Sequence, residues 1–309
     1  MNSRLVVVAT VVAACSAGAG GGEPLPDAGV LVYGACDPAS RVGTFEVDLA
    51  EKFTGVQGQV FDGVVPSDIL ETLETEGDCR RARAPVYFCD PACAVGEACN
   101  AQGACVPYPV AHDVGLVTVT GLKDDVEMEA LPPANYYTNR DPLPHPGFLP
   151  GADIALAAAG GDYPPFRLRG WGVSALEVFS AEIVVEAGAV VPLTWATPSE
   201  AGPTRLRISL NVNGHGVTGS RIECEVPDTG AFTLPEPLVT ALVNDGLSGF
   251  PTLALTRTTA DSTDLPPGCV EFRVQSQRSI PVSIPGLVSC DGDEDCTPPE
   301  TCQSDLTCG

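Results

Sequence analysis

The chain has 309 residues, of which 44% are hydrophobic and 18% are charged, with 40 acidic residues against 16 basic ones and a net charge of −24. This length suggests two domains, and the apolar fraction is large enough for true hydrophobic cores. The strong acidity argues against binding to nucleic acid and against docking on anionic lipid surfaces, because both would repel the protein.

The first 14 residues are predicted to be a signal peptide, because a basic head precedes an apolar run that ends at Ala14. A helix of about ten residues spans about 15 Å, half of a hydrocarbon core, so the run is too short for a transmembrane helix. It ends in the sequence VAAC at Cys15, which resembles the lipobox of bacterial lipoproteins. The resemblance implies that Cys15 receives the lipid and becomes the mature N-terminus. The alternative is an ordinary secretory signal cleaved near the same alanines.

The glycine-rich residues 15–29 are predicted to form a flexible tether. Each buried methylene of an acyl chain adds about 0.8 kcal/mol to membrane binding, so a lipid on Cys15 would hold the protein without a spanning helix. The predicted location is the cell envelope, at the outer membrane or the cell surface.

Residues 30–180 are predicted to form a first β domain. Apolar and polar residues alternate in segments that predict strands at 44–49, 57–65, 116–120, 154–158, 166–168 and 173–178. The segment PSDILETLETEG (66–77) predicts a short helix, since it combines a weak capping box, a narrow apolar face and Gly77 as a stop signal. The proline-rich segment 131–150 is predicted to be a loop.

Residues 181–288 are predicted to form a second domain, a β-sandwich. RLRISLNV (205–212) alternates strictly, and further alternation follows at 222–226, 253–255 and 270–274, as is typical of antiparallel sheets with one packed face. PEPLVTALVND (235–245) predicts one helix. The predicted fold class is therefore mainly β, with two β-sandwich-like domains, two small disulfide-rich modules and few short helices.

The chain has 13 cysteines, so lipidation of Cys15 would leave twelve. An even number in an exported chain predicts a disulfide framework, and its connectivity stays open. The predicted disulfide cysteines are Cys36, Cys79, Cys89, Cys93, Cys99, Cys105, Cys224, Cys269, Cys290, Cys296, Cys302 and Cys308. Cys224 and Cys269 lie in or beside predicted strands and are expected to tie the sheet together.

Two cysteine clusters echo each other, one at 89–105 inside the first domain and one in the C-terminal module 289–309. In both, the last two gaps are five residues long, an aspartate follows the first cysteine, and a glutamate stands two residues before the third. Segments this short cannot bury a core and need covalent links. The acidic opening CDGDEDC resembles the Dickkopf-type, EGF-like cysteine-rich module, which implies an extracellular spacer or interaction module.

Metal sites have little support in the sequence. Neither cluster has the C-x-x-C spacing or the histidine that structural zinc sites commonly show. An EF-hand starting at Asp291 would place Cys296 and Cys302 where glycine and glutamate are needed. Weak calcium binding by Asp291, Asp293 and Asp295 stays open beside a solvated acidic loop.

No catalytic residue or cofactor is predicted. His112, His145 and His215 are far apart, and His215 lies in NGHG, which predicts a hairpin turn. The motifs of α/β-hydrolases, P-loops and dinucleotide sites do not occur. A triad of distant residues or a carboxylate pair stays open. Tyr136 and Tyr137 are expected to pack on their own domain.

Two charged pairs could mark a recognition face: Arg205 and Arg207 on one strand, with Glu223 and Glu225 on the next. If the strands pair, cross-strand ion pairs are the simpler interpretation. The predicted function is a non-enzymatic surface lipoprotein with a binding, adhesion or structural role. Its expected partners are the membrane, through the lipid, and an envelope protein or matrix component. The alternatives are a secreted hydrolase and a calcium-binding or inhibitor protein that acts through the cysteine-rich modules.

Overall fold

The computed structural model describes residues 32–213 and 219–309. The predicted signal peptide, Cys15, the tether and His215 lie outside the described residues. Within these ranges the chain forms 18 β-strands and one α-helix, so the prediction of a mainly β fold is confirmed. No helix there is both long and apolar enough to cross a membrane.

The strands of the first half are β1 (Arg41–Leu49), β2 (Thr54–Val60), β3 (Glu71–Glu76), β4 (Cys79–Arg83), β5 (Glu97–Cys99), β6 (Cys105–Pro107), β7 (Val117–Thr120), β8 (Val126–Met128), β9 (Tyr137–Thr138), β10 (Asp153–Ala158) and β11 (Phe166–Trp171). The elements of the second half are β12 (Ile183–Val184), β13 (Val191–Thr194), β14 (Arg205–Asn211), β15 (Ser220–Pro227), β16 (Ala231–Leu234), α1 (Glu236–Asn244), β17 (Thr252–Leu265) and β18 (Gly268–Ser283).

One ten-stranded sheet organises the molecule, in the order β3-β4-β15-β14-β17-β18-β1-β2-β9, with β12 beside β18. Its centre is a long hairpin of β17 and β18, with 14 and 16 residues. β1 runs parallel to β18, with Phe45 opposite Phe272. The strands of the C-terminal part of the chain therefore form the centre of this sheet, and strands of the N-terminal part flank them on both sides.

Two hydrophobic cores pack on the same face of this sheet. The first lies under β1, β2 and the start of β18 and is covered by a second sheet, β11-β10-β7-β8. The other lies under β14, β15 and β17 and is covered by the β13-β16 pair and α1. Each half is thus a sandwich-like pair of layers.

Both cores contain residues from each side of the domain boundary predicted near residue 180. Most members of each core come from one side of it, but Val270, Phe272 and Val274 of β18 complete the first core, and Cys79 and Leu176 belong to the second. Residues 31–309 cluster as one compact unit. The domain boundaries stay a prediction, and the two halves share their central sheet.

The helix predicted at 66–77 is wrong. Only a 3₁₀ turn, Pro66–Asp68, forms there, and Glu71–Glu76 is the edge strand β3, paired with β4. The reason is charge complementarity between the two strands. Arg83 contacts Glu71 at 3.0 Å and Arg81 contacts Glu74 at 3.7 Å. These cross-strand pairs and the threonines of the segment favour the extended form.

Other local predictions are corrected in detail. The segment 173–178 is not a strand and makes only an isolated bridge from Val178 to Trp195, although Val173 and Leu176 are buried. The predicted loop 131–150 contains the two-residue strand β9. The helix predicted at 235–245 is confirmed, since α1 buries Leu238, Val239 and Leu242.

All twelve cysteines of the described residues form disulfides. The pairs are Cys36–Cys269, Cys79–Cys224, Cys89–Cys99, Cys93–Cys105, Cys290–Cys302 and Cys296–Cys308. Cys224 and Cys269 each pair with a cysteine of the N-terminal part. In both cysteine clusters the first cysteine pairs with the third and the second with the fourth.

The two cysteine clusters also share their backbone geometry. The fourth residue after the third cysteine has a positive φ in both, 71° at Gly103 and 61° at Leu306. The amide of the first residue after that cysteine donates to the fifth in both, from Asn100 to Ala104 at 3.0 Å and from Gln303 to Thr307 at 2.8 Å. The structure therefore supports the internal repeat.

Candidate functional site

The face of the ten-stranded sheet opposite the two cores is polar. On β14, Leu206, Ile208 and Leu210 are buried in the second core, so Arg205, Arg207 and Ser209 point the other way. We call this side the polar face; its central residues are Glu46, Arg80, Arg207, Ser209, Glu223, Glu225, Thr256, Arg273, Gln275 and Gln277. They line an open concavity of about 720 Å³.

The segment 33–36 forms one wall of the concavity. The Tyr33 hydroxyl donates to Glu225 Oε2 at 3.0 Å, and the Gly34 amide donates to the Ala260 carbonyl at 2.9 Å. The Cys36 amide donates to Glu271 Oε2 at 2.8 Å, beside the disulfide to Cys269. Burial and the nearby Glu225 raise the pKa of Tyr33, so its hydroxyl stays protonated and keeps donating.

Ion pairs neutralise one side of the concavity. Glu223 contacts Arg80 and Arg221, each at 2.7 Å, and Glu225 lies 3.8 Å from Arg205. Burial opposes ionisation of Glu223, but the hydrogen bond from Arg80 and the charges of both arginines hold its pKa below the usual value. The interpretation as cross-strand ion pairs therefore fits Arg205 and both glutamates.

On the other side of the concavity, Arg273 lies between two carboxylates. It contacts the fully buried Glu271 on its own strand and lies 3.5 Å from Glu46 on β1. Since Glu271 also accepts from Cys36, its charge is fully engaged.

Arg207 differs from these neighbours. Within residues 32–213 and 219–309, no hydrogen bond or ion pair reaches its guanidinium. Its strand partner Glu225 is held by Tyr33 and Arg205 instead. Burial, and then the charge of Arg273, lower the pKa of Arg207. An arginine still remains a cation at neutral pH, so the concavity contains a positive charge that no described residue contacts with an ion pair or hydrogen bond.

The structure does not bring the histidines together. His112 Nδ1 lies 2.9 Å from Asp162 Oδ2 and His112 Nε2 lies 3.6 Å from Asp62 Oδ2. The hydrogen bond to His112 lowers the pKa of Asp162. His145 Nδ1 lies 3.3 Å from the Thr54 hydroxyl. The two described histidines share no hydrogen-bond partner, and neither lines the concavity.

The tyrosine pair packs on its own domain, as expected. Tyr137 is fully buried in the first core, where its hydroxyl donates to Asp113 Oδ1 at 2.8 Å and accepts from the Val114 amide at 2.8 Å. Burial and the bond to Asp113 raise the pKa of Tyr137. Tyr136 donates to Gln57 Oε1 at 2.5 Å.

In the acidic loop of the C-terminal module, two carboxylates accept hydrogen bonds from backbone amides. Asp293 Oδ1 accepts from the Cys302 amide at 2.8 Å, and Asp295 Oδ2 accepts from the Asp291 amide at 2.9 Å. Weak calcium binding stays an untested prediction. Groups of three sulfurs lie within 4.8 Å of one another in both cysteine clusters, but all are in disulfides and offer no thiolate to a metal.

Sequence reasoning found one half of this site and missed the other. Alternation identified Arg205, Arg207, Glu223 and Glu225 as one charged face. The wall at Tyr33 and the residues from β1, β4 and β18 were missed, because alternation shows which residues share a face but not which distant strands become neighbours.

No protein-family model matches the chain, and no curated protein matches it. Among solved structures, the chain is similar to the FN1–FN3 domains of chicken CNTN1. The match covers 72% of this chain and 69% of that chain, with 9% identity and a TM-score of 0.19. A likeness this weak carries no argument about function.

Proposed function

We propose that this protein is a lipid-anchored lipoprotein of the cell envelope whose β-sheet body is a non-enzymatic binding module. The supporting observation is the use of its cysteines. Of 13 cysteines, twelve are paired in disulfides, and Cys15 is the one that remains. A framework of this kind belongs to an exported protein, and it leaves Cys15, at the end of the VAAC sequence, available for lipidation.

The binding role is supported by the concavity of the polar face. It has a volume suited to a small ligand or a single side chain, a wall fixed by a disulfide, and charged groups held by hydrogen bonds. His112 and His145, the described histidines that a catalytic site could have used, do not line this concavity. A binding role therefore uses a concave polar surface whose charged groups are held in place.

Metabolic labelling with a fatty acid tests the anchor. Wild-type protein is expected to incorporate the label and to sediment with membranes. Cys15→Ala removes the thiol that would carry the diacylglyceryl group, so the label and the membrane attachment should both be lost. Ser16→Ala is the matched control and should keep both. Unlabelled wild-type protein, or a Cys15→Ala protein that still sediments with membranes, would overturn the proposed anchor.

A further inference from the structure

We propose that the concavity of the polar face binds the anionic oxygen group of a small ligand, a carboxylate or a phosphate, and that Arg207 is the residue that holds it. The inference rests on the proposed binding function and names its ligand class.

The first argument is the contrast between Arg207 and two other arginines of the central sheet. Arg257, whose side chain is 1% exposed, is paired with Asp228, and Arg273 contacts two carboxylates. Enclosing a guanidinium without a counter-ion costs free energy, so such groups are normally paired. Arg207 is partly buried and has no such partner among the described residues, and it lines an open concavity, where a ligand can supply a counter-charge.

The second argument is that the neighbouring carboxylates are already engaged. Glu225 accepts from Tyr33 and lies beside Arg205, and Glu271 contacts Arg273 and the Cys36 amide. Both glutamates affect the pKa of Arg207 only through the electrostatic effect of their charges, without a direct contact. The five N–H donors of its guanidinium thus remain available for an incoming acceptor.

The third argument concerns shape and surroundings. A guanidinium presents a planar fork that matches carboxylate or phosphate oxygens in a bidentate geometry. Thr256 lies opposite Arg207 in register, Gln277 lies opposite Thr256, and Ser209 follows on the same strand. Their hydroxyl and amide groups can complete the hydrogen bonds of such an oxyanion without adding charge.

Arg207 can be observed directly through the Nε–Hε cross-peaks of arginine in ¹⁵N NMR spectra of the full chain in detergent. Sodium phosphate and sodium acetate replace sodium chloride at constant ionic strength, so that general screening is held fixed. One arginine cross-peak is expected to shift and saturate with phosphate or acetate, and the cross-peak that responds should be absent in Arg207→Gln. Arg167→Gln, which removes an exposed arginine of the other sheet, is the matched control and should keep the response.

The thermal midpoint gives a second readout that does not depend on assignment. Phosphate or acetate should raise the midpoint of wild type and of Arg167→Gln, and at least two thirds of that shift should be lost in Arg207→Gln. Which anion binds more tightly assigns the ligand to the phosphates or the carboxylates.

Several results would overturn the inference. A linear, unsaturated shift, or an equal response in Arg207→Gln, would show that no site exists there. A response that emerges only when Glu23→Gln and Asp27→Asn are introduced would show that the chain's own N-terminal carboxylates occupy Arg207. None of these results affects fatty-acid labelling at Cys15, so failure here is distinguishable from failure of the proposed anchor.

Discussion

At the scale of single residues, Arg257 on β17 donates hydrogen bonds from all three of its side-chain nitrogens. Its Nε donates to Asp228 Oδ2 at 2.6 Å and one Nη to Asp228 Oδ1 at 3.2 Å, and the remaining donors reach Ser174 and the Ala196 carbonyl. Trp195 Nε1 also donates to Asp228 Oδ1, at 2.7 Å. This network fixes the loops after β11 and β15 against the core face of the sheet.

Asp228→Asn is expected to destabilise the protein strongly. The substitution keeps the size of the side chain but leaves the enclosed Arg257 without its counter-charge, and breaking a buried pair from one side costs about 3–5 kcal/mol. Urea unfolding followed by Trp195 fluorescence measures the loss. Asp125→Asn, at an exposed position, is the control and should change the free energy of unfolding by less than about 0.5 kcal/mol. A loss below about 1 kcal/mol for Asp228→Asn would contradict this account of the network.

At the scale of elements, the C-terminal module contacts the body closely at Gly249 and Phe250. The Gly249 amide donates to the Asp305 carbonyl at 2.8 Å, and the Phe250 amide donates to Ser289 Oγ at 2.8 Å. Leu306, with its positive φ, lies directly against Gly249. The first module has Gly103 at the corresponding position. The same cysteine framework therefore carries a docking leucine in one copy and a glycine in the other.

Gly249→Ala is expected to detach the C-terminal module without unfolding the body. A Cβ there would lie 2.0 Å from the Leu306 carbonyl oxygen and 2.7 Å from its Cβ, so the two backbones must separate. Hydrogen exchange of peptides covering 246–251 and 300–309 should be at least tenfold faster. Gly63→Ala is the control, since its nearest neighbour would be an ordinary 3.7 Å contact with Pro109. Unchanged exchange in Gly249→Ala would show that the module is held elsewhere.

Alternation predicted the elements better than their arrangement. β14, β15 and α1 were located from local pattern alone, because strict alternation or an i, i+4 apolar pair specifies the element that buries it. The segment 71–76 was assigned to the wrong type because the arginines of β4 that stabilise it as a strand were not known to be neighbours. The same limit hid Tyr33 and Arg273 from the candidate site, since their contacts with β15 and β1 are long-range.

At the scale of the whole molecule, β18 connects the two cores. Its residues Val270, Phe272 and Val274 lie in the first core, and Ile280 lies in the second. β17 pairs with β18 along its full length and with β14 at the start. The disulfides Cys36–Cys269 and Cys79–Cys224 join residues 233 and 145 positions apart, so both link the N-terminal part to the C-terminal strands. Neither half can unfold without exposing the central hairpin.

The two halves are therefore expected to unfold in one transition. The chain has two tryptophans, Trp171 at the end of β11, a strand of the sheet that covers the first core, and Trp195 within the second core. Single-tryptophan variants, Trp171→Phe and Trp195→Phe, let each half report separately, and coincident urea midpoints are the test of cooperativity.

Phe272→Ala removes a fully buried ring from the first core and should cost about 3–5 kcal/mol. Because the central sheet is shared, it should lower the midpoint seen by Trp195 as much as that seen by Trp171. Val95→Ala, at a fully exposed position in the first cysteine module, should move neither midpoint. A midpoint at Trp195 that stays fixed while the one at Trp171 falls would show that the halves unfold as independent domains despite the strands they share.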